Sequence, residues 1–559
     1  MRNFKGILGY GLLLLVFCAV SLGQSGSIAG TVTDSTGAVV PEAAVVARNV
    51  DSNTMRSTTS NGAGSFSLTD LASGSYEITV TKQSFKTFHV TAVQLTVAQV
   101  LTVNAKLEAG ATSEEVQVRG DQVADIDLET SQVSNLVDAH KISDLPLITR
   151  DPYSLVLLSP GTVQTNGNGG FSVNGSRDRN NNFLLDGTDN NDTSVPGGPS
   201  GGVLSANPDS TEEFRVITSN FNAEYGRNTG AIIDVLTKSG TNKFHGDAYE
   251  FGRWNGFGGA RDWFNPSSGD NGGPQNPYVR NQFGYSIGGP IRKDKTFFFF
   301  NEEFDRFRTA TTGSAIVPTE AFKTGIFTYT DDNGTQVPLN LNPGNAVNAL
   351  NLPLDPTIQR VLALYPAPTS LNGDGFTGNI FFPTGSKQNS YSTVAKIDEH
   401  FTDHETLSMR YGYDHFVDPD PFHDDVLPGG VGATAEKSIS DAVSANLTSV
   451  LTSNLINNFN FGWNHIYAAF ACSHSALDAA GALDQFGNGT DYFFDPFSSL
   501  GCLSLGDSNG QGRKTGTTSY TDSVSWVRGN HTFKFGGDFR NVGEGGDDNF
   551  FSRRQFSTV

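Results

Sequence analysis

The sequence predicts a mainly β protein: an N-terminal β-sandwich, a central α/β domain, then a partial antiparallel transmembrane β-barrel. Three observations support this fold class. The 559 residues include 63 Gly and 41 Phe, a composition typical of aromatic-rich strands joined by many turns. Long stretches alternate polar or small residues with apolar ones at the period of a strand. Beyond the N-terminus no segment is apolar enough to form a spanning helix, so any membrane domain must consist of strands.

Residues 1–23 have the pattern of a secretory signal peptide. Arg2 and Lys5 form a short basic start, an apolar run covers residues 7–20, and small residues precede a cleavage position before Gln24. The run is shorter than the roughly 20 apolar residues that a spanning helix needs. Bulky Phe17 disfavours a lipoprotein anchor on Cys18. The sequence therefore predicts an exported protein.

Charge and cysteine content argue against a nucleic-acid binder and against a disulfide-rich protein. The formal net charge of -21 argues against a nucleic-acid binder, because phosphate contacts need clustered Lys and Arg. Three cysteines cannot form a disulfide framework, and Cys18 belongs to the predicted signal peptide. The remaining two, Cys472 and Cys502, lie near one long polar segment and are candidates for a disulfide.

Two patterns that carry chemistry in other proteins are better explained as loops. Residues 506–510 satisfy G-x-S-x-G, but their flanks lack the strand and helix of a nucleophile elbow. His400 and His404 lie in a predicted hairpin turn, where a zinc site is disfavoured. No P-loop or dinucleotide fingerprint occurs. We expect no enzyme activity, no metal site and no cofactor.

Residues 24–109 are predicted to form a β-sandwich of about seven short strands. Ile28, Gly30 and Val32 alternate with smaller polar residues, and turn residues recur at short spacing. The pattern G-x-V-x-D-x-x-G-x-x-x-P, with N-G-x-G-x-F-x-L and G-x-Y-x-I-x-V after it, resembles the carboxypeptidase regulatory-like domain. That family usually has Gly where this chain has Ser84. The resemblance implies a periplasmic module without peptidase activity, because the segment has no metal-ligand cluster.

Residues 110–138 are polar and acidic, and we interpret them as a linker. Within it, Glu114, Glu115, Val116, Gln117 and Val118 alternate polar and β-branched residues. The Ton box of TonB-dependent outer-membrane receptors has a similar form at this location. Such an extended segment can add itself to the edge of a partner's sheet. The alternatives are the last strand of the sandwich or an ordinary linker.

Residues 139–242 resemble the plug domain of Oar-like TonB-dependent receptors. The motifs that carry this resemblance follow one another in the same order: 142–151, 155–161, 172–177, 181–187, 214–216, 223–227 and 230–242. A plug is a compact body with a polar surface that fills the lumen of a barrel. Asp186, Asp189 and Asp192 form an acidic cluster, for which turn formation is favoured over calcium binding.

Residues 243–559 are predicted to form strands of an outer-membrane barrel. Apolar and aromatic residues such as Phe283, Tyr285 and Ile287 alternate with small or polar ones, as lipid outside and water inside require. Short turns are predicted at 292–295, within 397–407 and within 526–533, and external loops at 414–437 and 478–518. These 317 residues suffice for roughly ten to fourteen strands at ~10 residues each. A plugged transporter uses 22, so we expect a fragment.

The resemblance implies a TonB-dependent outer-membrane receptor or transporter with its N-terminal domain in the periplasm. Its partners would be the TonB protein, outer-membrane lipid and an extracellular ligand, with import driven by the proton-motive force. Metal chelates, vitamins and oligosaccharides are all ligands of related receptors, and no residue selects among them. The alternatives are an outer-membrane adhesion or surface-assembly protein without import, and a secreted β-rich enzyme.

Overall fold

The computed structural model describes residues 26–97, 99–111, 115–119, 131–145, 147, 149–165, 170–194, 202–226, 228–255, 278–418, 434–472, 493–494, 511–529, 531–547 and 555–556. The predicted signal peptide at 1–23, Glu114 of the candidate Ton box, and Cys502 of the candidate disulfide lie outside the described residues.

The N-terminal part is a two-sheet β-sandwich. One sheet has the strand order β4-β1-β7 with β8 also on β1, and the other has the order β3-β2-β5-β6-β9. Apolar residues from both sheets, among them Ile28, Val45 and Ile78, are fully buried in a single core. Its strands are β1 (Gly26–Asp34), β2 (Ala44–Asn49), β3 (Met55–Thr59), β4 (Ser65–Leu71), β5 (Gly74–Thr81), β6 (Thr87–Leu95), β7 (Val100–Thr102), β8 (Ala105–Leu107) and β9 (Glu115–Arg119).

Two positions of the sandwich motif have clear steric roles. A Cβ at Gly30 would lie 1.9 Å from the carbonyl oxygen of Val103, so only glycine lets β1 approach its neighbour this closely. Ser84 adopts a φ of 72°, the left-handed conformation that glycine accepts most readily. The turn therefore forms here without the glycine usual in this domain family.

The segment predicted as a linker contains two strands. β9 pairs in parallel with β6, from Thr87 opposite Glu115 to Thr91 opposite Arg119. β10 (Val133–Val137) pairs instead with a strand of the next domain. The alternating residues that favoured a Ton box thus also fit the edge of the sandwich, which was one of the alternatives.

Residues 131–241, here called the central body, form a mixed five-stranded sheet with the order β10-β15-β16-β13-β14. Tyr153, Phe183 and Phe214 are fully buried in its core. The remaining elements are α1 (Ala139–Asp144), two 3-10 helices (Pro152–Leu158 and Asp178–Asn180), β11 (Thr162–Gln164), β12 (Phe171–Val173), β13 (Asn182–Leu185), β14 (Thr188–Asp189), β15 (Thr211–Ser219) and β16 (Ile232–Thr237).

The C-terminal part is a sheet of long antiparallel strands, with the order β17-β18-β19-β23-β24-β25-β26-β28-β29 and β22 paired to β23. In the described residues β17 and β29 are its two edges, so the sheet is open. The elements are β17 (His245–Trp254), β18 (Tyr278–Arg292), β19 (Thr296–Pro318), α2 (Glu320–Lys323), β20 (Ile326–Thr330), β21 (Gln336–Asn340), α3 (Pro356–Leu362), β22 (Ser370–Leu371), β23 (Thr377–His400), β24 (Glu405–Asp418), β25 (Thr434–Thr452), β26 (Leu455–Cys472), β27 (Phe493–Phe494), β28 (Gln511–Arg528), β29 (His531–Asp547) and β30 (Gln555–Phe556).

The long strands have one apolar face and one polar face. Tyr285, Tyr411 and Phe535 are 42%, 43% and 57% exposed, whereas Asn458 and Asn460 on the other face are each 2% exposed. This alternation confirms the predicted pattern of a barrel wall. No helix in the described residues has the length and apolar character to cross a bilayer.

Short connections join the long strands at one end of the sheet. Three lie where the sequence predicts turns, and a fourth, at residues 453–454, was not predicted. Parts of the predicted external loops belong to strands. Residues 414–418 and 434–437 belong to β24 and β25, and residues 511–518 belong to β28. Polar residues continue the ladders there, because backbone hydrogen bonds between strands do not depend on apolar side chains.

Candidate functional site

The central body lies against the polar face of the long strands, and an acidic loop at residues 186–192 forms much of this contact. The loop begins with a turn after β13 in which Asp186 and Gly187 both have positive φ values, 47° and 74°. Asp and Gly are residues that accept this conformation. The turn directs the Asp186 carboxylate out of the sheet toward the barrel wall.

Asp186 is the centre of a buried ion cluster. Its carboxylate lies 2.7 Å from Arg410 Nε and 3.5 Å from Lys396 Nζ, and the three side chains are 2–5% exposed. Thr237 donates to it from its backbone N–H at 3.0 Å and its hydroxyl at 2.8 Å. Burial alone would raise the pKa of Asp186, but the two cations and the Thr237 hydrogen bonds hold it below its usual range.

The other two carboxylates of the loop also pair with barrel cations. Asp189 lies 3.3 Å from Arg540 and Asp192 lies 3.0 Å from Arg513. Among the residues that the structure describes, no group of three or more acidic, His or Cys side chains is arranged to hold a metal. All three carboxylates of the loop thus pair with Arg or Lys side chains of the long strands.

A second ion cluster joins the central body to the first strands of the sheet. Arg150 pairs with Asp209 of the central body and lies 3.5 Å from Glu303 of β19. Its guanidinium also lies 3.8 Å from the centroid of the Phe251 ring on β17, a cation–π arrangement. Tyr249 completes the cluster by donating its hydroxyl to Glu303 at 3.0 Å.

Neutral hydrogen bonds extend the contact to the remaining strands. Gln282 of β18 donates to the Thr149 carbonyl at 3.0 Å, and Asn207 donates to Asn301 at 2.7 Å. Further donors are Asn446 on β25, to the Asp186 carbonyl at 2.9 Å, and Asn464 on β26, to the Asp189 carbonyl at 2.7 Å. With the ion pairs, each of the nine strands from β17 to β29 along the sheet contacts the central body.

Asp234 on β16 is another buried carboxyl of the central body, and its pKa is shifted in the direction opposite to that of Asp186. It is 1% exposed, and its Oδ1 atom has no hydrogen-bond partner. Burial, reinforced by the charge of Asp186, raises the pKa of Asp234 well above its usual range. Burial therefore favours the neutral form of Asp234, whereas the two cations and Thr237 favour the ionised form of Asp186.

The sandwich docks on the central body through its β6–β7 turn. Glu213 accepts from the Val97 N–H at 2.5 Å, and Arg215 donates to the Val97 carbonyl at 2.6 Å and the Thr96 hydroxyl at 2.8 Å. Because Glu213 is buried in this joint, its pKa is raised to about 7. The joint is thus polar and contains a carboxyl that titrates near neutral pH.

The sandwich also contacts the short-turn end of the long sheet. Arg56 donates to the Asp403 carbonyl at 2.6 Å and Asn61 to the Gly529 carbonyl at 2.8 Å, both in short turns. Asn458 on β26 donates to Asp70 at 2.6 Å. A cavity of about 290 Å³ lies between the sandwich, the central body and the strands. The sandwich therefore lies at the end of the sheet that has the short turns.

The structure separates the candidate docking strand from this polar interface. Of the five residues predicted to contact TonB, Glu115, Val116, Gln117 and Val118 lie in β9 at the edge of the sandwich. The ion clusters, by contrast, were not predicted as a site. Arg410 and Lys396 lie on the polar face of their strands. Charged residues on the polar face of predicted barrel strands were the sequence signal that could have pointed to the ion clusters.

Family comparisons identify the class of protein. The family described as outer membrane beta barrel domain matches residues 236–558, and the carboxypeptidase regulatory-like domain matches residues 27–108. The chain belongs to the outer membrane β-barrel family, which places it in the outer membrane.

A curated relative gives a closer comparison. The chain is 30% identical over 317 residues to the TonB-dependent transporter Oar of Myxococcus xanthus, a match that covers 54% of this chain and 29% of that protein. The chain thus spans less than a third of the length of this relative.

Solved structures show weaker likeness. The outer membrane transporter YddB from Escherichia coli is 12% identical, with 73% of this chain and 48% of that chain covered and a TM-score of 0.46. The ferric enterobactin receptor PfeA from Pseudomonas aeruginosa is 11% identical, with 73% and 49% covered and a TM-score of 0.42. These proteins are transporters or receptors by description.

Proposed function

We propose that the chain acts as a TonB-dependent outer-membrane receptor or transporter, in which the central body is the plug and residues 114–118 are the TonB-docking segment. Ligand would bind on the extracellular side, and TonB would use the proton-motive force to move the plug. The observation that carries this proposal is the contact of the central body with all nine long strands. A body held in this way would block the lumen of a barrel that contains these strands.

The polar nature of the interface supports movement of the central body. Ion pairs such as Asp186 with Arg410, and hydrogen bonds such as Asn207 with Asn301, can be exchanged for contacts with water. Separation of an apolar interface would instead expose hydrophobic surface to water, at a free-energy cost of about 25 cal/mol for each Å² exposed. The contact therefore suits a plug that must leave the wall and return.

The position of the sandwich supports a periplasmic N-terminal domain. Barrels of the outer membrane have short periplasmic turns and longer extracellular loops. Arg56 and Asn61 bind carbonyl groups in two of the short turns. The sandwich would therefore lie on the side of the membrane from which TonB acts.

Deletion of residues 114–118 from the native gene tests the proposal. We expect the variant to reach the outer membrane but to reproduce the phenotype of a full gene deletion. Deletion of residues 122–126, five residues of the same connecting segment, is the matched control and is expected to retain function. A docking-segment deletion with a wild-type phenotype would favour an adhesion or surface-assembly protein that needs no energy coupling.

A further inference from the structure

We propose that Arg215 couples the sandwich to β10, so that the joint between the sandwich and the central body opens when β10 leaves the central sheet. The sandwich bonds to the central body and also to short turns of the long sheet. It therefore fastens the central body to the strands, and release of the joint removes this fastening. The coupling is a property of the chain itself and needs no TonB.

The sandwich side of the joint is the turn between β6 and β7. Both backbone polar groups of Val97 bond to β15, since its N–H donates to Glu213 at 2.5 Å and its carbonyl accepts from Arg215 Nε at 2.6 Å. The Thr96 hydroxyl accepts from Arg215 at 2.8 Å and donates to Gln99 at 2.9 Å. Gln99 also accepts from the Thr96 N–H at 3.0 Å. The turn is thus ordered by its own hydrogen bonds and presents two acceptors to one guanidinium.

The same guanidinium also bonds to β10. Nη1 of Arg215 donates to the Ser134 hydroxyl at 2.8 Å, and Leu136 of β10 is the Cα partner of Arg215 in the antiparallel ladder. Within the described residues β10 is the edge strand of the central sheet, with β15 as its neighbour. Arg215 is only 8% exposed in these surroundings. One buried side chain therefore lies between the sandwich turn and the edge strand.

The geometry of the guanidinium explains why its hydrogen bonds depend on one another. The group is planar and its N–H directions are fixed, so the bond to Ser134 also orients the donors that face Val97 and Thr96. When β10 leaves, one donor loses its acceptor and water reaches the guanidinium. The remaining hydrogen bonds then weaken, because a hydrogen bond inside a protein is electrostatically stronger than one in water. The joint should therefore open more readily once β10 has left.

The second attachment of the sandwich gives this coupling a consequence for the central body. Arg56 donates to the Asp403 carbonyl and Asn61 to the Gly529 carbonyl, both in short turns of the long sheet. While both attachments hold, the sandwich opposes departure of the central body from the strands. β10 is the first strand of the central body along the chain. Under the proposed TonB coupling, a pull on residues 114–118 would reach β10 before the other strands of this body and would release the sandwich with it.

A double-mutant cycle between Ser134 and Arg215 tests the coupling in the full chain, purified in detergent without TonB. Ser134→Ala removes only the hydroxyl on β10, and Arg215→Met removes the guanidinium. The measurement is hydrogen exchange of the Val97 amide, which bonds across the joint. Thr218→Val is the matched control, because it removes a hydrogen bond to the Val133 carbonyl of the same strand, one that does not involve Arg215.

The reverse direction is measured with Thr96→Val, which removes an acceptor of Arg215 in the sandwich turn. Coupling between two sites is reciprocal, so exchange of the β10 amides should rise in this variant. Exchange of the β5 amides, inside the sandwich, shows whether the sandwich itself stays folded.

We expect Ser134→Ala to speed exchange of the Val97 amide by at least about threefold, but by less than about 1.5-fold in the Arg215→Met background. Thr218→Val should change it by less than about twofold, and β5 exchange should stay within about twofold in every variant. Equal effects of Ser134→Ala with and without Arg215 would overturn the inference. It would also be overturned by an unchanged rate at Val97 in Ser134→Ala, by unchanged β10 exchange in Thr96→Val, or by a rise at β5 equal to that at Val97. None of these results would bear on whether TonB binds the chain.

Discussion

Replacing Asp186 with Asn should loosen the central body, because it leaves two buried cations without their counter-ion. Asp186, Lys396 and Arg410 are all 5% exposed or less, and Asp186 is ionised. Breaking a buried pair by removing one partner costs about 3–5 kcal/mol. At about 1.4 kcal/mol for each factor of ten, opening of the central body should become roughly 10²-fold to 10⁴-fold more frequent.

Asp234→Asn is the matched control, since it changes a buried carboxyl of the same body whose pKa is raised by burial rather than lowered by cations. The amide is similar in size to the carboxyl, whose neutral form is favoured by burial, so we expect a change of about 1 kcal/mol or less. Asp234 lies in β16, and Asp186 accepts hydrogen bonds from Thr237 of the same strand, so one site of measurement serves both variants.

Hydrogen exchange of the β16 amides reports this opening, because those amides exchange only when the sheet of the central body opens. We expect exchange in Asp186→Asn to rise by at least 10²-fold and exchange in Asp234→Asn by less than tenfold. Equal effects of the two substitutions, or less than a tenfold effect of Asp186→Asn, would refute the charge-pairing argument.

Three further changes have defined outcomes. Gly30→Ala should destabilise the sandwich by about 1–3 kcal/mol, because the new Cβ would meet the Val103 carbonyl, and thermal unfolding measures this loss. Burial raises the pKa of Glu213 from 4.5 to about 7. Docking of the sandwich on the central body should therefore be strongest below about pH 4.5 and should weaken as the pH rises through 7. Exchange of the Val97 amide should show this trend, and Glu213→Gln should abolish it. Tyr411→Arg should lower the stability of the strands in the outer membrane by up to about 2–4 kcal/mol and so reduce assembly there. Normal heat-modifiable gel mobility of this variant would contradict a lipid-facing position for Tyr411.

The sequence predicted those features that depend on neighbouring residues. Alternation at Phe283, Tyr285 and Ile287 indicated which face of β18 is exposed, since side chains on a strand point to opposite faces in turn. The short turn at residues 292–295 follows from local turn chemistry in the same way. Both appear in the structure as predicted.

The ion clusters depend on residues far apart in the chain, and local patterns do not reveal them. Asp186 and Lys396 are 210 positions apart, and Asp192 and Arg513 are 321 apart. From the sequence alone, the spacing of Asp186, Asp189 and Asp192 suggested only a turn or a calcium site. Their partners became visible once the order and register of the strands were known.

The place of residues 115–119 was ambiguous for a different reason. Alternating polar and β-branched residues satisfy both a docking segment and an edge strand, because both require the same extended backbone. The structure resolves the position of this segment as β9 of the sandwich. Its role in TonB docking stays a prediction.

Cross-linking in living cells tests the central claim most directly. A photoreactive residue would replace Gln117 in the docking strand, and exposed Thr36, in a turn of the sandwich, would serve as the control position. The account predicts an adduct with TonB from position 117 and none from position 36. Absence of a TonB adduct at position 117, with the protein present in the outer membrane, would contradict a TonB-dependent receptor.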